Sequence, residues 1–206
     1  VGRIGLEGHA VRAREIADAL PAEDPERTAM RIAPRTLLCG TAWRVHADSS
    51  ARFAELRELS SLAGDKASLA TGMAGQVANH WLHGRAREAS ALADELMALV
   101  EAVADPTMTV GLSFFAILVK VEAGGWADVE RWSQRVIELA DGDPTKGNFL
   151  IGSPLAFAHA TRAIGRASLG RPVSEVLPAL PLAAAMSRET DPTTHAIVIT
   201  ITYGLG

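Results

Sequence analysis

The groups in this sequence that could hold a metal or move a proton are six histidines, one cysteine and 24 carboxylates. His80 and His83 stand three apart, so two imidazoles could share a helical face. No carboxylate or thiol stands at ligand spacing to complete a set, and solvent-facing histidines at a helix end account for the pair. His9, His46, His159 and His195 are scattered singly. Cys39 follows Leu37 and Leu38 and reads as a small buried hydrophobe. No serine sits in a glycine elbow, and no Cys-His signature is present. Asp94-Glu95, and Glu55 with Glu58, read with Arg52, Arg57, Arg85 and Arg87 as ordinary pairs on solvated helix faces. Gly147 to Ser153 has the glycine spacing of a phosphate loop. It lacks the lysine that reaches the phosphates, and no strand pattern precedes it. These residues predict no metal, no cofactor and no catalytic centre.

Binding is a different matter. Ser68, Gly72, Gly75 and Asn79 follow one helical course of small and polar groups, and Ala156, Ala160, Ala163 and Ala167 do something similar later. Such stripes let helices approach closely. They also suit a groove lined by first helices, with Gln76, Asn79, His83, Lys120, Arg162 and Arg166 offering polar contacts. The four tryptophans Trp43, Trp81, Trp126 and Trp132 read as wedges between helical hairpins, or as an aromatic patch for a peptide or small ligand. The candidate binding residues are therefore Gln76, Asn79, Trp81, His83, Lys120, Arg162 and Arg166.

The elements that position them are marked by a recurring dipeptide. Asp-Pro occurs at Asp24-Pro25, Asp105-Pro106, Asp143-Pro144 and Asp191-Pro192, and Gly64-Asp65-Lys66 divides the widest gap. The intervals between these aspartates are 41, 40, 38 and 48 residues. Asp accepts hydrogen bonds from the open N–H groups of a first helical turn. Proline at the first helical position loses no intrahelical bond. Roughly midway lie Gly84-Arg85, Gly125-Trp126 and Gly170-Arg171, with Gly8 and Ala47 in the same register, where glycine can end a helix in a left-handed cap. The unit is a helical hairpin of about 40 residues, and its recurrence marks a repeat array.

Periodicity agrees. Trp126, Val129, Trp132, Val136 and Leu139 share one helix face, as do Ala89, Leu92, Leu96, Leu99 and Val103. The segment from Thr109 to Ala123 is apolar nearly all round, which suits a helix covered on several sides. The pattern predicts helices at 8–20, 25–47 (bent or broken before Pro34), 49–63, 66–83, 85–103, 107–123, 126–140, 153–169 and 172–188, and a last one from 192. The stretch 141–154 is the longest loop and the one best suited to function. The β-branched run 197–202 has strand propensity, but the preceding Asp-Pro argues helix. The predicted fold is all-α, an α-solenoid of about five hairpins forming one domain over 1–206.

Aromatics make up only 5% of the chain, with alanine conspicuous throughout, which suits helices packed on helices. A net charge of −4 carries no basic stripe for nucleic acid. The lone cysteine excludes an internal disulfide and fits a reducing compartment. The longest apolar run, Val110 to Val119, is too short to span a bilayer, and no secretory leader precedes the first helix. These features predict a soluble cytoplasmic protein without membrane partners. A start at Val1 and an end at Gly206, just after a new helix start, suggest a segment of a longer chain.

Gly84-Arg85-Ala86-Arg87-Glu88-Ala89 resembles the turn before the second helix of a tetratricopeptide repeat; Gly125-Trp126 and Gly170-Arg171 match it in part. The period of about 40 departs from that family's 34. Leu59 to Lys66, His83 to Ala89, and Arg131-Trp132-Ser133-Gln134 through Phe149 resemble the helical region of large mycobacterial-type signalling proteins. In that family a class III adenylate/guanylate cyclase domain and a signal-transduction ATPase typically precede the repeats, sometimes with a LuxR-type DNA-binding end. The resemblance implies a non-catalytic regulatory module that binds a protein segment or an upstream domain of its own polypeptide in a groove. The alternative is a sensor with a closed pocket near Trp81 and Trp126 for a small-molecule effector.

Overall fold

A computed structural model describes residues 2–44 and 49–205; His46, Ala47 and the end residues Val1 and Gly206 lie outside the described residues. The chain is all-helical, with no strand among the described residues, and helices pack against their neighbours in sequence. It divides into two compact units, Val1–Val103 and Ala104–Gly206.

The first unit holds α1 (Gly2–Asp18), α2 (Arg27–Thr41) with a 3₁₀ turn at Ala42–Arg44, α3 (Ser50–Ala63), α4 (Lys66–Leu82) and α5 (Ala86–Val103). Each helix packs on the next, and α2 also packs on α4. The second unit holds α6 (Pro106–Glu122), α7 (Trp126–Ala140), α8 (Pro154–Ser168), the single turn α9 (Val173–Val176), α10 (Ala179–Arg188) and α11 (Pro192–Thr200), which ends in a π turn at Ile201–Leu205. There α6 packs on α7 and α8, α7 on α8, α8 on α10, and α10 on α11.

The aspartates cap as their chemistry requires, with two exceptions. Asp65 accepts the Ser68 N–H at 2.9 Å, and Asp105 accepts those of Thr107 and Met108 at 2.8 and 3.0 Å. Asp191 accepts those of Thr193 and Thr194, both at 2.9 Å. Asp24 instead holds a turn, taking the Glu26 N–H at 2.8 Å, and α2 begins only at Arg27. Asp143 likewise closes a turn through the Thr145 N–H and hydroxyl, both at 2.8 Å, and α8 starts ten residues later at the cap Ser153. The helix cannot run on from Asp143 because Gly147 has φ 68° and lies against the α6 backbone. Left-handed glycines follow α3, α4, α6 and α8 at Gly64, Gly84, Gly124 and Gly170, so the cap after α6 is Gly124 rather than Gly125.

Two expectations about proline need correction. Helix α2 runs unbroken through Pro34, which is buried. Proline there removes the N–H partner of one carbonyl only. Side-chain donors reinforce the same turns: Arg35 Nη1 bonds to the Arg31 carbonyl at 3.1 Å, and Thr36 Oγ1 to that of Ile32 at 3.0 Å. The helix expected at 172–188 is split instead, because Pro178 takes the position before α10 and leaves α9 as one turn. The run 197–202 is helical, as the Asp-Pro before it requires.

The core follows the apolar stripes in part: Leu99 and Val103 on α5, and Trp126 and Leu139 on α7, are only half-buried. On α7 the buried residues are Val129, Trp132, Ser133, Val136 and Ala140; on α5 they are Ala89, Leu92, Ala93, Leu96, Met97 and Val100. Between Thr109 and Val121 on α6 only Leu118 keeps appreciable exposure. Cys39 is fully buried, and burial pushes its thiol up to about 12, so it is packing and not a nucleophile.

The stripe on α4 is a close-approach seam. A methyl on Gly75 would overlap the Cys39 carbonyl and come within 2.6 Å of Gly40 Cα; one on Gly72 would overlap the Leu56 side chain. Helices α2 and α4 thus meet at backbone distance. Gly75→Ala is expected to destabilise the protein by about 1–3 kcal/mol through overpacking. Gly40→Ala, whose methyl would meet Thr71 at an ordinary 3.6 Å, is expected to be neutral or stabilising by up to about 1 kcal/mol. Urea unfolding midpoints of the two variants check the pair.

Candidate functional site

The seven candidate residues occupy three places. On α4, Gln76 and Asn79 are fully buried, Trp81 is half-buried and His83 is exposed. Gln76 Oε1 accepts the hydroxyl of buried Ser49 at 2.5 Å, and its Nε2 lies 3.3 Å from His80 Nε2. Asn79 Oδ1 accepts from Arg85 Nη2 at 3.3 Å, while the Asn79 carbonyl accepts from His83 Nδ1 at 2.8 Å, which sets that proton on Nδ1. The structure therefore brings Gln76, Asn79 and His83 together at the C-terminal half of α4. It commits the amides inward, to groups that the buried helix would otherwise leave unsatisfied. Trp81 belongs to the first unit and Trp126 to the second.

Lys120, near the end of α6, is 6% exposed. Its ammonium lies 3.7 Å from the Asp128 carboxylate and 5.5 Å from the Trp132 ring centre, and its stem packs on Gly125. Such a lysine ties α6 to α7 through charge and cation–π attraction.

The third place is α8. Its residues from Pro154 to Gly165 are buried except His159 and Arg162, which are half-buried, with Arg166 continuing the line. These positions are three and four residues apart, so they fall on one helical strip. Arg166 is engaged within the chain: its Nε lies 3.6 Å from Glu130 of α7, and its Nη2 pairs with Glu175 of α9. Arg162 is not. Among the described residues it has neither a hydrogen-bond acceptor nor a carboxylate at ion-pair distance, and its Nε is buried. Burial, and then the charge of Arg162, hold the His159 imidazole below its ordinary range, so it is neutral at pH 7. Sequence reasoning left His159 out of the candidates, although its spacing from Arg162 was the available signal.

The long loop 141–153 is fixed at both ends. Gly147 and Phe149 press on Gly111 of α6, where any side chain would collide with them. Further on, the Gly152 N–H donates to Asp191 Oδ2 at 3.0 Å and to Thr194 Oγ1 at 2.8 Å. Phe149 is 52% exposed, an aromatic ring presented by an otherwise anchored loop. No group of three or more His, Cys, Asp or Glu among the described residues is placed to hold a metal, and no helix of these residues is long and apolar enough to cross a membrane. Comparison with protein-family models, with curated proteins and with solved structures yields no match for the chain.

Asp191 joins the cap of α11 to the loop, and its protonation should be felt in both. Partial burial pushes its carboxyl up, but bonds from Thr194, Thr193 and Gly152 outweigh it and hold the group below the usual carboxylate range. A depressed pKa contributes stability that is present above about pH 4 and is lost as pH falls through the folded value. Asp191→Ala is expected to cost about 1–2 kcal/mol at pH 7 from the lost helix cap, while the Gly152 N–H keeps Thr194 Oγ1 as its acceptor. Unfolding measured at pH 7 and pH 3 should show the gap between wild type and variant narrowing at the lower pH.

Proposed function

We propose that this chain is the non-catalytic, partner-binding repeat region of a multidomain signalling protein, an α-solenoid of about five tetratricopeptide-like hairpins. The observation that carries the reading is the packing order within each unit. A helix meets the next helix and also the next but one: α2 meets α3 and α4, and α6 meets α7 and α8. Stacked hairpins pack in this way, and each depends mainly on its neighbours. Left-handed Gly84 stands midway between the capping aspartates Asp65 and Asp105, and Gly124 and Gly170 close α6 and α8 in the same way, in keeping with that unit. The motif Gly84 to Ala89 and the stretch Arg131 to Phe149 add the resemblance to the cyclase- and ATPase-linked signalling proteins.

In this reading the ligand is a protein segment, either from a partner or from an upstream domain of the same polypeptide, held in a groove of the array. Because repeats pack serially, a small shift at each one sums along the array and changes how it bears on its neighbour. Deleting residues 1–206 from the intact protein is expected to remove the response of its activity to partner or effector while leaving basal activity in place. Unaltered regulation in the deleted form, measured beside the intact protein, overturns the reading.

A further inference from the structure

We infer that α1 is a charge-held latch: residues 7–18 lift from α2 as one piece, hinged on the linker 19–26, while the rest of the first unit stays folded. The movement lies within the chain, goes beyond the partner-binding reading and is independent of it.

What a helix buries decides how firmly packing holds it, since apolar attraction scales with the area removed from water. Helix α5 buries Leu92, Leu96, Met97 and Val100 besides two alanines. Over residues 7–18 of α1 the buried side chains are Ala10 and Ala17, one methyl each, while Val11 is half-buried and Ile16 is exposed. Helix α1 packs on α2, whereas α4 is gripped by α2, α3 and α5.

Charge supplies the rest of the attachment. Asp18, at the end of α1, accepts from Arg31 Nε at 2.8 Å and from Arg35 Nη2 at 2.9 Å. About three turns back, Glu7 lies 3.5 Å from Arg52 of α3. Asp18, Arg31, Glu7 and Arg52 all keep partial exposure, where ion pairs are weak and are screened by salt. The Arg35 hydrogen bond holds the Asp18 carboxyl below its ordinary range, so the clasp is charged at pH 7.

Arg35 is the one deeply buried member of the clasp. Removing the sole partner of a buried cation would be costly. Arg35 keeps the Glu55 carboxylate and the Arg31 carbonyl, both at 3.1 Å and both outside α1, so lifting the helix does not strand it. The linker suits a hinge. Pro21, Ala22, Glu23, Pro25 and Glu26 are exposed, and its hydrogen bonds among the described residues are local. An element with few buried apolar contacts opens well below the cost of global unfolding. The open form frees Arg31 and one side of the Arg35 fork.

The test is amide hydrogen exchange of the full chain, followed by mass spectrometry in about 0.05 M and about 1 M sodium chloride. Residues 7–18 are expected to exchange faster than α5 in low salt and about threefold faster again in high salt, with α5 unmoved. Asp18→Asn should bring the faster exchange at low salt and blunt the salt response. Arg57→Gln, which breaks the exposed pair with Glu95 between α3 and α5, should leave α1 as it is in the wild type. The inference is overturned if residues 7–18 exchange as slowly as α5, if salt leaves them unmoved, or if α4 opens with them. The wild-type comparison requires no variant to fold. Its failure leaves the partner-binding reading standing, because that reading is decided by regulation of the intact protein.

Discussion

Backbone-to-backbone contact between α2 and α4 is the constraint from which the first unit follows. Gly75 lies where any side chain would strike the Cys39 carbonyl and the Gly40 backbone, so the two helices cross at a separation that only glycine permits. That closeness closes off α4 along about half of its length, from Gly72 to Asn79. Polar groups on the same helix are then shut away from water and have to find protein partners. Ser49 meets Gln76, and Arg85 meets Asn79, because the seam leaves them no other choice.

The second unit solves a related problem with different residues. Helix α6 is covered almost all round, and α8 nearly as fully. The hydroxyls of Ser133 and Thr161 face one another at 2.8 Å where α7 packs on α8, so each satisfies the other in a dry contact. Gly165 permits that packing, since a methyl there would crowd Val129 at 3.2 Å. Charge is handled at the edges: Lys120 on Asp128 and Trp132, and Arg166 between two glutamates. Arg162, half-buried on the same helix, has no carboxylate at ion-pair distance among the described residues.

Helix identity and much of the boundary detail were legible because they depend on local chemistry. Helix α7 occupies its expected span, since Gly124 and Asp141 stop it by backbone conformation at either end. What the sequence could not show were effects decided by distant neighbours. Pro34 is tolerated because α2 is held from outside by packing on α3 and α4. Asp143 looks like the other capping aspartates, yet the chain after it is diverted by the seat of Gly147 on α6. At the candidate site, the spacing of Arg162 and Arg166 was readable. The burial of Gln76 and Asn79 was not, because a stripe of small and polar residues reads equally as seam or as groove, and Ser49 lies 27 residues away.

The tie between Gly152 and Asp191 has a consequence for cooperativity. It spans 39 residues and joins the entrance of α8 to the start of α11, so neither end can open without releasing the other. Regions that open together exchange their amide protons as one block, whatever their distance along the chain. By that measure α8, the loop before it and α11 form one foldon, and the hairpin is too small a unit to describe how this half of the molecule comes apart.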